Sequence, residues 1–271
     1  MSSKIILISG STDGIGKQTA LMIAGEGHRV IIHGRNRQRC RETVREIRSL
    51  TANEAVEMIC GDLSSLADIH RMSEELHQKY ERLDVLINNA GVFEKKRRLT
   101  ADGLEMTFAV NHLAVFLLTG LTLDLLKHSV PSRIVVVSSM AHAASIDFNN
   151  LQGEQGYSGY AAYSLSKLAN ILFTFELARR LNKNEITVNC LHPGVIRTKL
   201  LQAGWGNGGA STAEGAKTSV YLALSPQVEG VSGKYFSGLS ESRPAGIAYN
   251  EEVGKKLWRI SEELCRFQYE I

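Results

Sequence analysis

The chain has 271 residues, 44% hydrophobic and 22% charged, which is enough apolar material for a sizeable core and excludes a disordered or fibrous chain. Its formal net charge of only +3, with no basic stripe interleaved with aromatics, excludes a nucleic-acid groove. Four scattered cysteines without a C-x-x-C pair, and eight histidines without an H-E-x-x-H pattern, point to a reducing compartment and to no protein-bound metal.

In chain order, residues 1–4 lead straight into an apolar run too short for an export signal, so the expectation is a cytoplasmic protein. Short runs rich in β-branched residues follow at 5–9, 30–33, 56–60, 85–88, 134–138 and 186–191. Helix-compatible stretches lie between them at 17–26, 38–50, 65–79, 104–127 and 160–181. Continuous apolar strands alternating with helices predict a doubly wound α/β fold: a parallel sheet covered on both faces, in three α/β/α layers. The longest apolar stretch, 113–126, is broken by Gly120 and Asp124 and falls short of the roughly 20 residues needed to span a membrane, so a buried helix is expected there. With no Pro-rich linker or repeat, residues 1–271 are expected to form one domain. A Gly-rich loop region near 199–215 and a C-terminal helix near 250–267, carrying Val253, Leu257, Ile260 and Leu264 at helical spacing, complete it.

The first strand runs into Ser9-Gly10-Ser11-Thr12-Asp13-Gly14-Ile15-Gly16 and then a helix. Glycines there permit a tight turn and let backbone amides approach a pyrophosphate at the positive end of the helix dipole. The G-x-x-x-G-x-G spacing resembles the short-chain dehydrogenase/reductase family, with Ser9 where that family usually has threonine. The resemblance continues through Asp62-Leu63, Asn88-Asn89-Ala90-Gly91, Asn111, Ser138-Ser139, Tyr163-Ser164-Leu165-Ser166-Lys167 and His192-Pro193-Gly194-Val195, with Thr198 beyond. It implies a Rossmann-type sheet and a cofactor site made of Gly10, Ser11, Gly14, Ile15, Gly16, Arg35, Asn36, Asp62, Leu63, Asn89, Ala90, Gly91, Tyr163, Lys167, Pro193, Gly194, Val195 and Thr198. Asp62 and Leu63 would flank the adenine, and the 193–198 segment would hold the nicotinamide amide.

The second strand ends His33-Gly34-Arg35-Asn36 without the carboxylate that binds a ribose 2′-hydroxyl, and Arg35 suits a 2′-phosphate, so NADP is expected in preference to NAD. Many NADP-preferring relatives carry a basic residue where this chain has Asp13, which weakens that preference. The resemblance implies Ser139, Tyr163, Lys167 and Asn111 as the catalytic set. Tyr163 and Lys167 are one helical turn apart, so the ammonium is placed to lower the phenol's pKa toward neutral while Tyr163 exchanges a proton with substrate. Asn111 would bend its helix and hold a water reaching Lys167.

The long 141–159 stretch before Tyr163, together with Gly233-Lys234-Tyr235-Phe236, is similar to the retinol dehydrogenase-like branch. An apolar aldehyde, ketone or alcohol is therefore the expected substrate, with Phe93, Met140, Tyr157 and Trp205 as candidate pocket residues. Two alternatives stay open: a non-catalytic NADPH-sensing regulator, and a light-dependent reductase of a porphyrin-like ring. Lys95-Lys96-Arg97-Arg98 is expected to be a solvated rim. The resemblance also offers the helices of Asn111 and Tyr163 as a pairing surface for a homodimer or homotetramer.

Overall fold

The computed structural model describes residues 3–271; Met1 and Ser2, which open the N-terminal segment and the expected domain, lie outside them. Eight strands form one sheet: β1 (Ile5–Ile8), β2 (Arg29–Gly34), β3 (Val56–Cys60), β4 (Val85–Asn88), β5 (Ser132–Val137), β6 (Ile186–His192), β7 (Lys234–Ser237) and β8 (Ser240–Ser242). Their order is β3-β2-β1-β4-β5-β6-β7-β8, parallel as far as β7, with β8 antiparallel at the edge. Strand order reverses between β1 and β4, and ligands of such sheets bind in the crevice at the carboxyl ends beside that point.

Successive strand residues face opposite layers. Ile6, Ile8, Ile32 and Ile87 pack under α1 (Gly14–Gly25), α2 (Arg37–Thr51) and α9 (Thr212–Leu224), while Leu7, Ile31 and Leu86 face the other side. That second layer holds α3 (Leu66–Lys79), α5 (Ala114–Leu121), α6 (Leu123–Lys127) and α7 (Gly159–Arg180). Further along the chain are α8 (Lys199–Trp205) and α10 (Glu251–Cys265). The fold class read from the alternation is the observed one.

Four differences have local causes. The helix expected over residues 104–127 begins as α4 (Met106–Phe108), passes through a π-helical turn at Ala109–Leu113 and breaks at Thr122. The Thr122 hydroxyl donates to Leu118 O, where it competes with regular helix geometry. Strands β7 and β8 were not anticipated, because four and three residues with Lys or Ser at their ends carry no alternation. Helix α9 was not anticipated either, since its small residues blur the apolar period, although its Ser211 cap accepting from Glu214 N is a start signal visible in the sequence. Finally, the loop region expected near 199–215 holds α8 (Lys199–Trp205) and the start of α9, and the Gly-rich 206–211 segment between them is tied at its end, where Arg197 N donates to Ala210 O and Ala210 N to Val195 O.

The C-terminal helix α10 lies against α7 and the π-helical turn. His112 Nε2 and Ser261 Oγ are 2.9 Å apart, Trp258 stacks on Phe173, and Arg180 sits over the Trp258 ring at 4.2 Å. No residue of 163–177 is exposed, so a second copy pairing through this helix would first have to displace what covers it. The 141–159 segment is anchored rather than loose: Leu151 is buried, and Gln152 O accepts from Arg97 Nε. Arg97 is therefore half-buried and bonded, unlike the freely solvated rim expected for that basic run. Among the described residues no helix is long and apolar enough to cross a membrane, and no group of three His, Cys, Asp or Glu side chains could hold a metal ion.

Candidate active site

A cleft of about 1110 Å³ runs along the carboxyl ends of the strands. One end is the glycine turn. Gly10 has φ +64°, and a Cβ there would lie 2.8 Å from Ala90 Cα; a Cβ on Gly16 would collide with the Asn89 amide and Gly10 O. Only glycine lets these two loops close so tightly. Ser9 Oγ accepts from Asn89 N at 3.0 Å and Ala90 N at 3.1 Å, a task either Ser or Thr performs. Asn89 Nδ2 donates to Ser9 O and Gly10 O, so its side chain holds the turn.

Gly10, Gly14, Ile15, Gly16, Arg35, Asn36, Asp62, Leu63, Asn89, Ala90, Gly91, Pro193, Gly194, Val195 and Thr198 all line this cleft, as do Ser139, Tyr163 and Lys167. Ser11 does not. It is fully buried: its hydroxyl donates to Ile8 O and accepts from His33 N, and its amide donates to His33 O. Ser11 locks the turn from behind. Asn36 and Thr198 double as helix caps, accepting from Arg39 N and Leu201 N.

His33 is a strut that sequence reasoning missed. Its Nδ1 accepts from Gly10 N at 3.0 Å and its Nε2 lies 3.1 Å from Gly61 O, so the neutral ring with its proton on Nε2 joins the ends of β1, β2 and β3. A polar residue inside a strand's apolar run was the available signal. Burial pushes the ring down to about 4, against the opposing pull of Gly61 O and Asp62. His112 and His192 are likewise lowered by burial, to about 3 and about 4. Between those values and the ordinary 6.5 of an unfolded histidine, the unfolded chain binds protons that the native protein does not, so stability falls as pH drops through this window. Thermal melts are expected to fall steeply from pH 6.5 to 4, and His33→Gln to flatten that slope by roughly a third, its share of three such rings.

Asp13 is also engaged. Its carboxylate accepts from Gly14 N at 2.8 Å, capping α1, and pairs with Lys199 at 2.6 Å and Arg39 at 3.2 Å. The Lys199 hydrogen bond is the main cause holding this carboxyl below the ordinary range. Lys199 and Arg39 both line the cleft, and neither was picked out in the sequence.

At the other end, Tyr163 and Lys167 project from α7. Lys167 Nζ lies 5.6 Å from the Tyr163 ring centroid and donates to Val137 O at 2.9 Å. Ser138 Oγ donates to Lys167 O at 2.8 Å, whereas Ser139 Oγ accepts only from Ala141 N at 3.0 Å and stands beside the phenol. Ser138→Ala is thus expected to cost about 1 kcal/mol of stability through a lost buried hydrogen bond. Ser139→Ala is expected to cost less than that, because its bond from Ala141 N is only part-buried, and to lower turnover roughly 100-fold. Paired melting and turnover assays separate the two serines.

The expected depression of the Tyr163 phenol is not found in the free protein. Burial dominates and pushes the phenol up to about 12, with the Ser139 hydroxyl pulling the other way. Burial also pushes Lys167 down to about 8, because the ammonium too is expensive to enclose. Asn111 lies behind the cleft, fully buried at the π-helical turn. Its Oδ1 accepts from Val92 N at 2.8 Å and its Nδ2 donates to Val92 O and Ser166 Oγ. These bonds fix the turn between Tyr163 and Lys167.

Trp205 and Met140 line the cleft, and Trp205 meets the Tyr163 ring edge-on at 5.1 Å. Phe93 backs both rings, 5.2 Å from Trp205 and 5.9 Å from Tyr163. Tyr157, expected in the pocket, is not there: its hydroxyl bonds Glu94 O at 3.0 Å and Glu105 Oε1 at 3.1 Å, pinning the 141–159 segment to α4.

Residues 4–205 match the family model described as short chain dehydrogenase. The chain belongs to that family. Retinol dehydrogenase 14 of Homo sapiens is 44% identical over 97% of this chain and 86% of its own length. Retinol dehydrogenase 13 of Homo sapiens is also 44% identical, over 96% and 84%. Among solved structures, a short chain dehydrogenase of Escherichia coli CFT073 complexed with NADPH superposes with a TM-score of 0.73 at 25% identity, covering 89% of this chain and 98% of that one. A protein from Mycobacterium paratuberculosis reaches 0.79 at 29%, covering 100% and 96%. As a retinol dehydrogenase-like short-chain dehydrogenase, the chain is an oxidoreductase acting between a nicotinamide cofactor and an alcohol or carbonyl substrate.

Proposed function

We propose that the protein interconverts apolar aldehydes or ketones and their alcohols with NADP(H), using Ser139, Tyr163 and Lys167. The observation that carries this reading is the placement of these three side chains at one end of a continuous cleft whose other end holds the glycine turn and Arg35. The residues fit a dinucleotide: the turn through Gly10, Gly14, Ile15 and Gly16 closes as its glycines allow, and the first residues of α1 line the cleft, where the positive end of the helix would meet a pyrophosphate. Asp62 and Leu63 would flank the adenine, Asn89, Ala90 and Gly91 the ribose side, and Pro193, Gly194, Val195 and Thr198 the nicotinamide amide. Bound there, the nicotinamide supplies or accepts the hydride.

In the reducing direction the Tyr163 hydroxyl gives its proton to the carbonyl oxygen while Ser139 Oγ donates a hydrogen bond to the same atom. A phenol held near 12 is fully protonated at neutral pH, which suits a donor. Lys167, still mostly charged at pH 7 with its value near 8, offsets the negative charge that develops on the phenol as the proton leaves. Trp205, Met140 and the Phe93 backing give this end an apolar wall, consistent with a bulky apolar substrate. Four free, buried cysteines agree with a reducing, cytoplasmic setting.

The test is loss of NADPH absorbance, in darkness, against a panel of hydrophobic aldehydes and ketones. Turnover in the dark with at least one of them is expected. Tight NADPH binding with no turnover of any would support the sensor reading instead, and turnover requiring light would support the porphyrin-type reductase.

A further inference from the structure

Beside the catalytic cleft lies a second cavity of about 650 Å³, between the His192–Ile196 turn, the β7–β8 hairpin and α9. The two share Met140 and residues 192–196 as a common wall. Ser139 faces only the first and His142 only the second, yet the two residues touch: His142 Nδ1 donates to Ser139 O at 2.7 Å, and its Nε2 accepts from Ala245 N at 2.9 Å. The second cavity therefore begins immediately beside the serine that would hold the reacting oxygen. Met140, 62% exposed and with three rotatable bonds, is the most adaptable part of the partition.

The lining of this space suits an apolar chain with a charged end. His192, only 7% exposed, is part of the wall that the two cavities share. Leu239, at the hairpin tip, is held at φ +70°, a left-handed conformation that branched side chains avoid, and its side chain is left 41% exposed at the cavity. The charges are also uneven. Lys217 is paired with Glu214 at 2.6 Å, and Glu241 of the hairpin with Lys234 at 2.8 Å, while Arg243 has no ion pair among the described residues.

We propose that this cavity takes the far end of an elongated apolar substrate, and that this end carries a carboxylate held by Arg243. The chain would pass Met140 and lie against Leu239. The proposal deepens the reading of the cleft as a carbonyl-reducing site and rests on it for the position of the other end.

The experiment compares hexadecanoate with hexadecanol by calorimetric titration of the NADPH-loaded protein, in wild type, Arg243→Gln and Leu239→Gly. The acid is expected to bind about tenfold tighter than the alcohol, the scale of one charge-assisted hydrogen bond at a partly exposed site. Arg243→Gln should erase that difference. Leu239→Gly, which relieves the backbone and so keeps the fold, should weaken both ligands alike. In turnover, KM for a long ω-oxo acid should rise in Arg243→Gln with kcat unchanged, while KM for a short uncharged aldehyde stays the same. Equal binding of acid and alcohol in wild type, or a preference that survives Arg243→Gln, would overturn the proposal even if short aldehydes are reduced. Acid-selective binding with no aldehyde turned over would instead leave the cavity's ligand standing and remove the carbonyl-reducing function.

Discussion

Arg35→Asp is expected to raise KM for NADPH about 100-fold relative to NADH, reversing the coenzyme preference. Arg35 is exposed, lines the cleft just beyond β2 and has no ion pair among the described residues, so its guanidinium is available to a 2′-phosphate. A charge-assisted hydrogen bond contributes about 1.5 to 3 kcal/mol, the lower end applying at an exposed site, and replacing cation by anion adds repulsion of similar size. Together these approach roughly 3 kcal/mol, or two decades in the ratio. The unfavourable sign of Asp13 is largely cancelled, because Lys199 and Arg39 already pair with it. High salt should shrink the effect, as screening does for any exposed charge. Michaelis constants for both coenzymes in wild type and variant check this, and an unchanged ratio would remove Arg35 from cofactor selection.

Lys167→Met is expected to lower kcat about 1000-fold with little change in melting temperature. Methionine follows the buried aliphatic path of the lysine, so the stability cost is confined to the hydrogen bond to Val137 O. What disappears is the ammonium facing the Tyr163 ring. In wild type, reduction should slow as pH rises through about 8, where burial makes Lys167 lose its proton, and that alkaline limb should be absent from the variant. Turnover measured across pH 6 to 10 for both proteins is the check. A variant with the same alkaline limb would assign it to another group.

The sheet was legible because six of its strands are apolar at successive positions, which is what burial on both faces demands. Strands β7 and β8 were not, since their place is fixed by pairing to β6 rather than by their own pattern. Motif order brought Ser139, Tyr163 and Lys167 to one end of the cleft, yet it said nothing of how far burial outweighs their mutual attraction. That balance depends on Val137 O and on the walls of Trp205 and Phe93, which come from distant parts of the chain. Ser11, Asn111 and Tyr157 show the same limit: a motif or a loop placed them near the site, and long-range hydrogen bonds turned their side chains away from it. His33 and His142 were passed over because a lone histidine advertises nothing until its two partners are known.

The proton carried by Tyr163 is the centre of the reaction. Rapid mixing of NADPH-loaded protein with a hydrophobic aldehyde, comparing wild type with Tyr163→Phe, isolates it, because the variant keeps the ring that packs on Trp205 and loses only the hydroxyl. The expected result is hydride transfer slowed at least about 1000-fold, the upper range for a lost general acid, with NADPH affinity unchanged. Hydride transfer at the wild-type rate in Tyr163→Phe would contradict it.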